Sequence, residues 1–190
     1  MTGIILAGGK NTRMGTNKAF LNIGGERLID RTIRIFKDIF GEVILVTNSP
    51  LDYLDHDGVI VTDIIKEKGA LGGIYTGLFF ATGSHAFVSA CDMPFLNKAF
   101  IEYMVERATG YDIVVPKPAD GLQPLHAIYS KRCLPAMKKV LFTDNLKITS
   151  FYRGLKTFII PEDVISSYDP EGRMFFNINT REDLRQISSL

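Results

Sequence analysis

Short apolar runs separated by stretches of helical spacing set the pattern of this chain. Residues 2–6, 42–47, 58–62, 85–90, 111–115 and 155–160 read as strands. Several are near-continuous in Val, Ile and Phe, as strands covered on both faces of a parallel sheet are. Between them, segment 26–39 carries Leu28, Ile29, Ile33, Ile35, Phe36 and Ile39 with charges interleaved, which predicts an amphipathic helix. Segments 72–82, 97–109, 131–141 and 180–188 read likewise. Asn97 is placed as an N-cap, and Asn179 with Glu182 as a capping box for the last helix. Segment 124–130 breaks the alternation. It reads as a strand after the turn region Pro116–Gly121, with the antiparallel direction open to it in a mixed sheet. The expected fold is α/β: a single-domain, Rossmann-like three-layer sandwich, a mainly parallel sheet with helices on both faces. Ligands of such sheets bind beyond the carboxyl ends of the strands, so the loop after residue 6, Asp63 and Asp92 should converge on one edge.

Composition narrows the class. A chain of 190 residues, 46% hydrophobic and 23% charged, is ordinary for one globular domain. Such a chain buries roughly 70% of its unfolded surface without a disulfide or metal staple. A formal net charge of +1 gives no basic face for nucleic acid, so any anion-binding charge must be local. Cys91 and Cys133 have no framework or metal spacing and read as reduced thiols. No apolar run approaches the ~18 residues of a membrane span, and Ile4-Ile5-Leu6-Ala7 is too short for a signal segment. The expectation is a cytoplasmic protein with no membrane and no nucleic-acid partner.

The first loop carries candidate chemistry. Leu6-Ala7-Gly8-Gly9 is followed by Arg13, Gly15 and Lys18. Glycines let backbone N–H groups close on phosphate oxygens, Arg13 can grip two oxygens as a planar fork, and Lys18 supplies a compact charge. Neither a Walker A loop nor a Gly-x-Gly-x-x-Gly fingerprint fits, because Thr16 and Asn17 separate Gly15 from Lys18 and position 10 is Lys. Asp92 follows a strand and precedes Met93-Pro94, where a carboxylate could reach Mg²⁺ bridging phosphates or simply accept turn N–H groups. Gly69-Ala70-Leu71-Gly72-Gly73-Ile74 opens a helix with little bulk, so its first-turn N–H groups could donate to a base carbonyl.

Leu-Ala-Gly-Gly-(x)3-Arg-Met-Gly-(x)2-Lys resembles the signature loop of nucleotidyltransferases with a nucleotide-diphospho-sugar-transferase fold. Together with Gly69–Ile74, Cys91-Asp92-Met93-Pro94-Phe95 and Phe176-Asn177-Ile178-Asn179-Thr180, it most resembles the molybdenum cofactor guanylyltransferases. The matches run from residue 2 to about residue 185. The resemblance implies transfer of GMP from GTP to molybdenum-molybdopterin with release of pyrophosphate. It further implies Mg²⁺ on Asp92, and Arg13, Lys18 and Asp92 as the catalytic groups. Leu6, Ala7, Gly8, Gly9, Lys18, Asn48, Asp63, Leu71, Gly72, Gly73 and Asp92 would hold the nucleotide. Gln123, His126, Asn177 and Asn179 would face the acceptor. Molybdenum-insertion and molybdoenzyme-maturation proteins are the implied protein partners. Ala70 stands where the family usually has Pro, a change that removes no donor. Ala7-Gly8-Gly9, where cytidine-using relatives usually read Ala-Ala-Gly, points to guanine.

Nothing else in the chain competes for the site. There is no Gly-x-Ser-x-Gly elbow, Cys91 has no evident base, and His126 has no second ligand at zinc spacing. Other readings stay open at this point. They are a cobinamide-phosphate guanylyltransferase, a molybdopterin cytidylyltransferase, or a non-catalytic nucleotide sensor that kept the loop.

Overall fold

The computed structural model describes residues 1–8 and 17–188. Its centre is the strand β1 (Thr2–Leu6), buried along its whole length. It pairs in parallel with β4 (Glu42–Val46) on one side and β6 (His85–Ala90) on the other. Beyond β4 lies β5 (Val59–Val61); beyond β6 come β8 (His126–Ser130), β7 (Ile113–Pro116) and β9 (Thr157–Ile160). The sheet order is β5-β4-β1-β6-β8-β7-β9, with β8 antiparallel to both neighbours and every other pairing parallel. The α/β expectation is met, and so is the antiparallel option for the strand inside 124–130.

The two faces follow from the period of two along each strand. Ile4, Leu6, Ile44, Val46, Ala86 and Val88 point to the side covered by α2 (Gly69–Phe80) and α4 (Leu134–Leu141). Ile5, Leu45, Phe87, Val114 and Ile128 point to α1 (Leu28–Ile39), α3 (Lys98–Glu106) and α5 (Glu162–Tyr168). Helix α3 starts as expected: the Asn97 side chain accepts the Phe100 N–H at 3.1 Å.

Three local features differ from the sequence reading. The helix expected from residue 26 begins at Leu28, because Glu26–Arg27 forms strand β3 against β2 (Asn22–Ile23). Gly24 and Gly25, at φ +62° and +89°, make the two-residue turn that such a tight hairpin requires. Helix α5 was not expected; Glu162 and Asp163 in its first turn are its sequence signal. The cap of α6 (Arg181–Ser188) is Thr180 with Asp183. The Asp183 carboxylate accepts the Thr180 N–H at 2.7 Å, and the Thr180 hydroxyl accepts the Asp183 N–H at 3.1 Å. A small third cluster of Ile23, Leu28, Ile178 and Ile187 seats α6 on the hairpin. No helix among the described residues is long and apolar enough to cross a membrane.

His126 opens β8 inside the second face. Its ring lies 5.0, 5.9 and 5.2 Å from those of Phe87, Phe100 and Phe175, and neither nitrogen has a hydrogen-bond partner among the described residues. Burial pushes its pKa down from 6.5 to about 3. The unfolded chain therefore takes up a proton near pH 6.5 that the folded chain refuses, and stability is lost as pH falls from about 6.5 toward 3. The expected slope from this residue is on the order of 1 kcal/mol per pH unit. His126→Leu should flatten the acid arm of stability measured by urea melts from pH 7 to pH 4; an unchanged slope would assign acid lability to other groups.

Candidate functional site

Because β1, β4, β5 and β6 are mutually parallel, their carboxyl ends share one edge. Backbone pairing continues past the strands and locks the turns together. Ala7 N donates to Val46 O at 2.9 Å, Thr47 N to Val61 O at 3.0 Å, and Cys91 N to Leu6 O at 3.1 Å. The chain steps outward from β1 to β4 and β5, and α2 then carries it back to β6. The strand order thus reverses between β1 and β6, where α/β sheets hold ligands in a crevice. Gly8 and Asp92 flank that point.

Gly9 and Arg13 lie outside the described residues. Of the first loop's other expected contacts, the Leu6 and Ala7 side chains are buried and offer only backbone, while Gly8 is exposed. The chain returns at Asn17, whose side chain accepts the Ala19 N–H and so starts the single turn Lys18–Phe20. One residue that sequence reasoning missed joins the two ends. The fully buried Tyr53 hydroxyl accepts from Asn17 Nδ2 at 3.0 Å and donates to the Ala7 carbonyl at 3.4 Å. Burial pushes its pKa up to about 12, so it remains a hydroxyl. No motif surrounds Tyr53; only the fold brings it to Ala7 and Asn17.

Lys18, Asp92 and Asn179 meet in one cluster. Lys18 Nζ donates to Asn179 Oδ1 at 2.9 Å and lies 3.7 Å from Asp92 Oδ2, with the Lys18 and Asp92 side chains each 22% exposed. The ammonium is thus held more closely by the amide than by the carboxylate. Burial raises the Asp92 pKa, and the Lys18 charge only partly offsets it. A carboxylate in that position gains from any cation that replaces lost water. A single carboxylate is compatible with Mg²⁺. Among the described residues no group of three or more His, Cys, Asp or Glu could hold a metal alone. Mg²⁺ takes one or two carboxylates and completes its shell with phosphate and water.

A second cluster lies at the ends of β4 and β5. Asn48 Nδ2 donates to Asp63 Oδ2 at 2.7 Å, and Lys66 Nζ donates to Asn48 Oδ1 at 3.1 Å, which fixes the direction of the amide. Lys66 was not singled out from the sequence, being one of many lysines. Helix α2 begins beside this cluster at Gly69, where the glycine-rich segment was read to open a helix, with Gly69 and Ala70 exposed and Leu71 to Leu78 buried. A Cβ on Gly73 would come within 3.2 Å of Leu6 Cδ2 and 3.8 Å of Asp63 Oδ1, so glycine there lets the helix close on both. The Leu71 side chain belongs to the core, which leaves only its backbone and those of Gly72 and Gly73 for a ligand.

The acceptor candidates divide. Gln123 lies at the same edge, half-buried, with its amide on Asp120 at 3.3 Å. Asn177 Nδ2 is turned back to Phe175 O at 3.1 Å, and Ile178 N bonds Asp92 O at 2.9 Å, so this segment is tied to the Asp92 turn. His126 does not join them: the aromatic rings described above enclose it and its side chain cannot line an open pocket. The partly buried Cys91 has its thiol pushed up to about 12, by burial first and then by the neighbouring Asp92 charge, which disfavours the thiolate.

The family model described as a MobA-like NTP transferase domain matches residues 3–158. A protein of Desulfosudis oleivorans named molybdenum cofactor guanylyltransferase is 40% identical over 191 residues, covering 100% of this chain and 95% of the relative. One of the same name from Syntrophotalea carbinolica is 33% identical, with 97% and 89% covered. Among solved structures, the molybdopterin-guanine dinucleotide biosynthesis protein A of Archaeoglobus fulgidus superposes with a TM-score of 0.85 at 26% identity, over 100% of this chain and 97% of that one.

The Tyr53 clasp yields a direct expectation. Tyr53→Phe leaves the Ala7 carbonyl and the Asn17 amide each short of a partner and should cost about 1–3 kcal/mol in a denaturant melt. A variant as stable as the parent would show that the hydroxyl is not what joins the loop ends.

Proposed function

This chain belongs to the MobA-like NTP transferase family, and within it we propose that it transfers GMP from GTP to the terminal phosphate of molybdenum-molybdopterin, releasing pyrophosphate. The observation that carries the reading is the meeting of Lys18 and Asp92, one from each side of the point where the strand order reverses. A sensor that only binds nucleotide has no use for a half-buried carboxylate beside a phosphate-binding lysine. The relatives named guanylyltransferase, alike over nearly their whole length, favour this acceptor over cobinamide phosphate and GTP over CTP.

The residues divide the work. The attacking group is already a phosphate oxyanion, so the protein needs no strong general base; alignment and charge neutralisation suffice. Gly8, Gly9 and Arg13 hold the triphosphate, and the Lys18 ammonium follows the charge that builds on the leaving pyrophosphate. Asp92 is the group that would hold Mg²⁺, which supplies positive charge to the phosphate oxygens when bound. The second cluster reads the base. Asn48 occupies Asp63 Oδ2 and leaves Oδ1 toward Gly73, where it can accept an N–H of the guanine N1/N2 edge. Adenine offers no donor on that edge. First-turn N–H groups of α2 remain for O6. Gln123 and Asn177 supply polar groups on the acceptor side. The product, a guanine dinucleotide cofactor, would pass to molybdoenzyme-maturation proteins.

Two measurements test this. GTP with Mg²⁺ should raise the melting temperature more than ATP, CTP or UTP at equal concentration; at 100-fold excess over Kd the gain is about 2.7 kcal/mol. CTP outdoing GTP would move the chain to cytidylyl transfer. Lys18→Ala and Asp92→Asn should each reduce pyrophosphate release about 100–1,000-fold while the fold persists. Near-normal turnover in both variants would remove this cluster from the reaction.

A further inference from the structure

Asn179 matches a family position expected to face the acceptor, yet its side chain is engaged elsewhere. Its amide oxygen accepts the Lys18 ammonium at 2.9 Å across 161 residues of sequence. The helix-capping role that would explain an asparagine here is taken by Thr180 and Asp183, so the Asn179 side chain is free for this bond. Its backbone is pinned on both sides. The Asn179 N–H donates to Asp183 Oδ2 at 2.7 Å, and the preceding Ile178 N–H donates to Asp92 O at 2.9 Å. Ile178 itself is fully buried against Ile23, Leu28 and Ile187. The backbone that presents this acceptor to Lys18 is therefore fixed in place.

We propose that Asn179 is a positioning residue for Lys18: it holds the ammonium beside Asp92 in the orientation that meets the triphosphate, and so makes segment 176–188 part of the nucleotide site. This rests on the nucleotidyl-transfer reading above. A neutral amide suits the task. It directs one N–H of the ammonium and leaves its charge and two remaining donors for phosphate oxygens. A carboxylate at the same position would draw Lys18 into a tight pair and spend that charge within the protein. In keeping with this, the ammonium lies 2.9 Å from the amide oxygen and 3.7 Å from Asp92 Oδ2. Helix α6, far from the first loop in sequence, then governs phosphate binding through the hydrophobic seat of Ile178 and Ile187 on the hairpin that follows Lys18.

The test is a double-mutant cycle on the full chain, read by calorimetric binding of GTP with Mg²⁺ and needing no acceptor. Asn179→Ala should weaken GTP binding about tenfold, the loss expected when a charged donor loses its fixed partner. Asn179→Asp should weaken it at least as much although it is nearly isosteric. In a Lys18→Ala background Asn179→Ala should not weaken binding further, because Asn179 acts through Lys18. Melting temperatures of the variants establish that the fold is retained. Unchanged GTP affinity in Asn179→Ala, or the same tenfold loss with and without Lys18, overturns the proposal and returns Asn179 to the acceptor or to the fold. A parent protein that binds no nucleoside triphosphate overturns the functional reading together with it, whereas GTP binding without coupling overturns this inference alone.

Discussion

Everything at the site depends on β1 being paired in parallel on both sides. Ile4 sits opposite Ile44 in one neighbour and Val88 in the other, and the same register carries Leu6 to Val46 and Ala90. That registration sets the turns after β1, β4 and β6 at one height, and the backbone bonds from Ala7, Thr47 and Cys91 extend it by another residue. A strand buried on both faces tolerates no slip, since a one-residue shift would send Ile4 and Leu6 to the face of Ile5. The chemistry is therefore placed by hydrophobic registration, with polar side chains added at the strand ends.

On that frame the site is closed from two directions. Tyr53 gathers the ends of the first loop from below, and segment 176–180 crosses the Asp92 turn from the other side. Both contacts are long-range in sequence, and each works by presenting one oxygen at a fixed place: a hydroxyl under the loop, an amide beside Lys18. The half-buried Asp92 is the group this closure affects most. Burial makes its ionised form costly, and the Lys18 ammonium 3.7 Å away returns only part of that cost. In the proposed reaction this carboxylate would receive a further cation brought with the phosphates.

The strands and most helices were legible because their signals are local: near-continuous Val and Ile runs, the interleaved charges of 26–39, and the Asn97 cap. The convergence of the first loop, Asp63 and Asp92 followed from topology alone. What was illegible has physical reasons. The two-residue strands β2 and β3 are too short for any periodicity, and the charged residues of Glu26–Arg27 continue the helical pattern. Asn179 read as a cap because Glu182 stands three residues on, while Asp183 competes for the same role and wins it. His126 read as an acceptor contact because its neighbours resemble the family, but strand alternation turns it into an aromatic core that no local pattern reveals. Tyr53 and Lys66 act only through partners that folding supplies.

The central claim is that one nucleotide spans both polar clusters, with its base at Asp63 and its phosphates between Lys18 and Asp92. A crystal structure with Mg²⁺ and a non-hydrolysable GTP analogue tests it most directly. The account predicts guanine against the first turn of α2 with its N1 and N2 edge on Asp63, and the α-phosphate beside Lys18 and Asp92. A nucleotide bound at any other edge of the sheet, or one whose phosphates lie out of contact with Lys18, would contradict it.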